Sequence, residues 1–281
     1  MKNSQSNNRP GEGRLLLFPF LLTICVMLSL VSACSSPAKR FDDAAMSFGL
    51  QREVVKSAEF QHVVYWRNGG PNQTLHVYLD GDGTPELDER PSHDPTSRNL
   101  LILHLLAIDP GPAVYLGRPC YHGSTEPGCS NDLWTTARYS ERVVSSLTAA
   151  LSTVMIGRGY HWVSLFGHSG GGTLAMLLAE RLPGVRSIVT IAANLDIDAW
   201  SDYHGQPRLA ASLNPVNRPP LPPRIQQRHY VGSRDEVVPA ALVATVLRPQ
   251  NLGPAIIDGY DHVCCWVDRW PSILAEHATA E

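Results

Sequence analysis

Three side chains in this sequence could together carry out acyl transfer. Ser169 lies in Gly167-His168-Ser169-Gly170-Gly171, Asp235 in Gly232-Ser233-Arg234-Asp235-Glu236-Val237-Val238-Pro239, and His262 in Gly259-Tyr260-Asp261-His262. A serine hydroxyl is a poor nucleophile at neutral pH, so it needs a histidine to accept its proton and a carboxylate to orient that histidine. A serine held on a sharp strand-to-helix turn crowds its neighbours, and flanking glycines relieve the crowding. The helix that starts there offers N–H groups to a developing oxyanion. Rivals exist for each role. Asp196 and Asp198 also follow a predicted strand, Glu236 adjoins Asp235, and His168, His204 and His277 are among the eleven histidines. His262 is preferred because a predicted strand directly precedes it, which His204 and His277 lack; His168 reads as a substrate-facing neighbour of the nucleophile.

The elements that must position these groups follow from periodicity. The apolar run 163–166 reads as a strand, and Leu174, Leu177, Leu178 and Leu182 recur at helical spacing before Pro183-Gly184. Further strands are predicted at 62–66, 74–79, 113–116, 186–193, 225–231 and 254–257, with a turn at 69–72. Helices are predicted at 99–107, 138–155 and 240–247, from Pro271 onward, and loosely over 41–56. Such alternation implies an α/β fold with a mostly parallel, twisted sheet and helices on both faces. Ser169, Asp235 and His262 then all follow strands, at the carboxyl ends where open α/β sheets bind ligands. Residues 194–224 carry Trp200, Tyr203 and six prolines, so they read as a small irregular cap over the pocket.

Composition bounds the rest. A formal net charge of -3 gives no basic footprint for nucleic acid. Lys2, Arg9 and Arg14 precede an apolar run at 15–31, and Ser32-Ala33 follow, which is the order of an export signal over 1–33. That run, interrupted by Pro19, Thr23 and Ser29, is at the short edge for spanning a membrane. Residues 34–40 read as a tether and 41–281 as one domain. Export makes Cys120, Cys129, Cys264 and Cys265 candidates for disulfides, with three pairings open. Cys120 with Cys129, inside the long loop 117–134, is the favoured bond. Adjacent Cys264 and Cys265 read either as a vicinal ring or as a buried thiol pair. No spacing matches a structural zinc site, and no phosphate-binding Gly-Lys-Ser/Thr loop occurs.

On the serine turn, the acid loop and Asp261-His262 before the final helix, the chain resembles the α/β-hydrolase superfamily, specifically its exported bacterial esterase-like and lipase-like members. The chain order Ser, Asp, His agrees with that superfamily. The resemblance covers nearly all of the mature chain. It implies a serine hydrolase that cleaves a small-molecule or lipid ester through an acyl-enzyme, without cofactor or metal. It also implies an oxyanion hole made by the N–H groups of Gly170 and of a residue after the third strand, here Asp82 in Asp80-Gly81-Asp82-Gly83. Many lipases and esterases carry His-Gly at that loop, where this chain has Asp80-Gly81. Val31-Ser32-Ala33-Cys34 resembles a lipobox, which implies acylation of Cys34 and anchoring to a membrane. Ser35 supplies no acidic retention signal, so the expected location is the outer membrane facing the periplasm. No protein partner is expected. Three other readings stay open: thioester, amide or acyl-transfer chemistry with the same residues; a non-catalytic surface lipoprotein; and a redox protein using Cys264-Cys265, which lacks the two-residue spacer of thioredoxin-like motifs.

Overall fold

The computed structural model describes Met1 and residues 35–69 and 73–278. The chain divides into two compact units, Met1–Ser36 and Pro37–Glu281. The predicted export signal beyond Met1, Cys34 and most of the predicted turn at 69–72 lie outside the described residues. The second unit carries Ser169, Asp235 and His262.

An eight-stranded sheet forms its centre, in the order β1 (Gln51–Lys56), β2 (Gln61–Arg67), β6 (Ala113–Leu116), β3 (Thr74–Leu79), β7 (Trp162–His168), β8 (Val185–Ile191), β9 (Gln226–Gly232), β10 (Ala255–Ile257). β1 pairs antiparallel with β2, and β2 with β6; every other pairing in this sheet is parallel. Two-residue strands β4 (Glu86–Leu87) and β5 (Arg90–Pro91) make a separate hairpin after β3.

The two-residue period of the strands divides the core. Leu75, Val77, Leu79 and Leu165 point to one face, where they pack with Val143, Leu147 and Leu151 of α3 (Glu141–Arg158) and with α4 (Gly170–Ala179) and α6 (Ala240–Leu247). Tyr78 and Phe166 point to the other, where α1 (Pro37–Ser47), α2 (Leu101–Ala107) and α7 (Trp266–Ala278) supply Phe41, Leu103, Trp266 and Trp270. The mostly parallel sheet with helices on both faces is therefore as expected. Each parallel strand delivers its carboxyl end to the same edge, so loops distant in sequence meet there.

Three boundaries differ from the periodicity reading. Residues 41–56 are not one helix: α1 starts at Pro37, inside the expected tether, and stops at Ser47, after which Val54 and Val55 belong to β1. Gly49 at φ +75 makes that break, a backbone conformation glycine adopts without cost. The last helix begins at Trp266, not Pro271; Pro271 lies inside it, where the ring forgoes one helical hydrogen bond. The cap segment is not wholly irregular, since α5 (Ile197–Tyr203) opens it with Asp196 as N-cap. Cys120 and Cys129 are disulfide-bonded with Cα atoms 5.5 Å apart. Cys264 and Cys265 are also joined, and Cys264 is exposed, so the pair is not a buried dithiol.

Candidate active site

Ser169 is the hinge between β7 and α4. Its backbone sits at φ 53, ψ -123, a positive-φ conformation that costs a non-glycine residue about 1–3 kcal/mol. The surroundings enforce it. Ser169 N–H donates to Ile191 O at 2.9 Å, and Ser169 O accepts from Gly172 N–H at 3.0 Å. The glycines are required by contact: a Cβ on Gly167 would meet the Gly171 backbone, one on Gly171 the Leu79 carbonyl, one on Gly172 the Ala193 side chain, and one on Gly170 the Asp82 carboxylate. The hydroxyl of Ser169 has no hydrogen-bond partner among the described residues, and the residue is half-buried.

Asp235 follows β9 and is buried. Its Oδ1 accepts the N–H groups of Val237 and Val238 at 2.9 and 2.8 Å, a local turn that fixes the carboxylate. His262 follows β10, and its Nδ1 lies 3.2 and 3.0 Å from Asp235 Oδ1 and Oδ2. The two loops are pressed together: Ser233 and Arg234 N–H donate to Ile257 O and Tyr260 O, both at 2.9 Å, and a Cβ on Gly232 would overlap the Tyr260 carbonyl. His262 reaches the serine turn through His168, whose Nε2–H donates to His262 O at 2.8 Å, with the two rings 5.0 Å apart. The structure thus joins Asp235 to His262 directly, and His262 to the residue that precedes Ser169.

The rivals are occupied elsewhere. Asp196 Oδ1 accepts from Asp198 N–H, Ala199 N–H and Asn214 Nδ2 as a helix cap. Asp198 lies in the first turn of α5, and Glu236 is exposed. His204 donates to Val237 O, as does Trp200 Nε1, each at 2.8 Å, which docks the cap helix on the acid loop. Other serine–histidine contacts exist, His62 with Ser146 at 2.7 Å and His277 with Ser187 at 3.1 Å, but all four side chains are buried in the core. His104 packs against Phe48. A groove of about 730 Å³ beside Leu221, Gln227 and Leu252 lies at the amino-terminal end of β9, opposite Asp235.

The loop after β3 approaches Ser169 closely, since a Cβ on Gly81 would lie 3.3 Å from Ser169 Cβ. Asp82 is held there by four donors. Its Oδ1 accepts from Arg118 Nη2 at 2.9 Å and Tyr139 Oη at 2.5 Å, its Oδ2 from Arg138 Nη1 at 2.9 Å, and its carbonyl from Tyr121 Oη at 2.9 Å. Burial alone would raise this carboxyl, but the charges of Arg138 and Arg118 hold it below the usual range. Two guanidiniums on one carboxylate leave this three-residue clamp net positive. Neither the Asp82 N–H nor the Gly170 N–H has an acceptor among the described residues. The Gly81 N–H is not available, because it donates to Asp80 Oδ1 at 2.8 Å. Burial lifts the Asp80 carboxyl to about 7. Arg118, Arg138 and Tyr139 were not legible as site residues in the sequence; they lie 36, 56 and 57 positions from Asp82.

No family model matches the chain, and no curated protein does. Solved structures do. A membrane phospholipase A described as a bacterial virulence factor superposes with a TM-score of 0.55 at 18% identity, over 94% of this chain and 97% of that one. A lidless α/β serine hydrolase from Xanthomonas campestris gives 0.53 at 13% identity, over 81% and 94%. An esterase of Pyrococcus furiosus gives 0.57 at 12% identity, over 81% and 88%. At such identities the likeness concerns the backbone fold alone. The chain has the α/β-hydrolase fold.

Proposed function

We propose that the protein is a serine ester hydrolase, with Ser169 as nucleophile, His262 as general base and acid, and Asp235 as the orienting carboxylate. The observation that carries this reading is the strained Ser169 turn, tied through His168 to a hydrogen-bonded pair of buried Asp235 and half-buried His262 at one edge of the sheet. Ser169 Oγ attacks the acyl carbon while His262 Nε2 takes its proton. Asp235 holds the Nδ1–H and stabilises the imidazolium that forms. The carbonyl oxygen, now an anion, is met by the N–H groups of Gly170 and Asp82; the Arg118–Asp82–Arg138 clamp fixes the second donor and adds favourable field. His262 then protonates the leaving alcohol. Water, activated by the same histidine, releases the acid from the acyl-enzyme.

The substrate class in this reading is a lipid or other acyl ester, drawn from the surface to which an acylated Cys34 would tether the domain. The phospholipase A likeness supports it, as does the resemblance of Val31-Ser32-Ala33-Cys34 to a lipobox. The cell-envelope location, on the outer membrane facing the periplasm, belongs to the same proposal. Purified protein should hydrolyse p-nitrophenyl esters and release fatty acid from phospholipid vesicles, and Ser169→Ala should abolish both. Ester turnover without any vesicle hydrolysis would remove the lipid part of the reading. Absence of both would remove the whole.

A further inference from the structure

We propose that His168, the residue between the first glycine and the serine of the turn, is a positioning residue that sets the distance from nucleophile to base. The inference rests on Ser169 and His262 acting as proposed above. His168 is the last residue of β7, 4% exposed, and its side chain points across the sheet edge to the loop after β10. A carbonyl oxygen can only accept, so the 2.8 Å contact with His262 O assigns the ring proton to Nε2. His262 is consequently held twice, by Asp235 at its ring and by His168 at its backbone. The two holds do different work. Asp235 selects the tautomer and tilt of the imidazole, whereas His168 fixes where its Cα stands. Since His168 and Ser169 are consecutive, a shift of the His262 loop is resisted from the chain position next to the nucleophile.

The neighbouring contacts hold the other side of this loop. Val263 and Cys264 donate to Asp261 Oδ1, and Trp266 Nε1 donates to Asp261 O at 3.0 Å, so the segment is ordered on its carboxyl side by α7. On the serine side the tie is His168. The other ring nitrogen faces Gly81, whose hypothetical Cβ would stand 3.7 Å away, so the imidazole is wedged between the loop after β3 and the His262 loop. A ring with only two rotatable bonds keeps this geometry at small entropic cost. Burial, and then the charge of nearby His262, lower the His168 pKa to about 4, which keeps it a neutral donor and adds no cation beside an imidazolium.

Placement errors of an ångström cost on the order of 10²-fold in rate. His168→Phe fills the site without a donor, and His168→Gln restores an N–H at comparable reach. Steady-state kinetics on a p-nitrophenyl ester should show kcat of His168→Phe down by about 10- to 100-fold with KM little changed, and most of it recovered in His168→Gln. Hydrogen exchange of residues 259–265 should be faster in His168→Phe than in His168→Gln. Should His168→Phe not fold, His168→Leu takes its place in both measurements. Equal kcat and equal exchange in the donor-less and donor-bearing variants would overturn the proposal while leaving a Ser169-dependent hydrolase intact. Ester turnover that survives Ser169→Ala would instead overturn the hydrolase reading, and this proposal with it.

Discussion

His262→Ala is expected to lower kcat on any ester substrate by about 10⁵- to 10⁶-fold, with the fold and KM preserved, and Asp235→Asn by about 10⁴-fold. The two magnitudes differ because the side chains fail differently. Without His262 the neighbouring His168 cannot replace it, since His168 is buried and its pKa, lowered to about 4, makes it a weak base. In Asp235→Asn the imidazole survives, but an amide that can donate to Nδ1 favours the wrong tautomer. The Val237 and Val238 N–H groups still find an oxygen on the amide side chain, so the loop should stay closed. Steady-state kinetics on the two purified variants, with circular dichroism as the fold check, measures this. Loss of less than tenfold in His262→Ala would move the general base to another residue.

The second large effect is on stability in acid. Burial lowers His62 to about 4, His122 to about 3, His168 to about 4 and His229 to about 4. Nδ1 of His122 and Nε2 of His229 have no hydrogen-bond partner among the described residues, so nothing rewards protonating them. A base whose folded pKa is depressed binds fewer protons folded than unfolded; its stabilisation is complete above the unfolded value near 6.5 and is lost as pH falls toward the folded value. Asp80 works in the opposite sense. With its pKa lifted to about 7 by burial, it is protonated in the fold and ionised in the unfolded chain between about 4 and 7, which offsets one proton. The net uptake on unfolding near pH 5 is about three protons, equivalent to about 4 kcal/mol for each pH unit. Typical domains have only about 5–15 kcal/mol to lose. Resistance to unfolding by urea should therefore weaken steeply from pH 6.5 to 4, and the protein should unfold without denaturant before pH 4. A midpoint that stays constant across that range would show that these histidines are not held neutral.

Much of this was legible in the sequence, and the limits are physical. The serine turn was readable because its glycines are dictated by close contacts, with backbone at Gly167 and Gly171 and with the Ala193 side chain at Gly172, which leave a local signature. The pairing of Asp235 with His262 was readable because parallel strands deliver their carboxyl ends to one edge, so position after a strand carries information. The Asp82 clamp was not, because Arg118, Arg138 and Tyr139 come from the long loop and the approach to α3, and no local pattern marks a side chain that meets its partner across the fold. By sequence His168 reads as a substrate-facing neighbour, whereas the contact it makes is with the His262 backbone. The error over 41–56 has another origin. Val54 and Val55 fit either a helix face or an edge strand, and pairing with β2 decides between them.

The central claim, an activated Ser169, is tested most directly by reacting the purified protein with a fluorophosphonate and locating the adduct by peptide mass spectrometry. The predicted result is one stoichiometric adduct on the peptide containing Ser169, absent in Ser169→Ala and strongly slowed in His262→Ala. A folded protein that stays unlabelled, or carries its label on another residue, would contradict it.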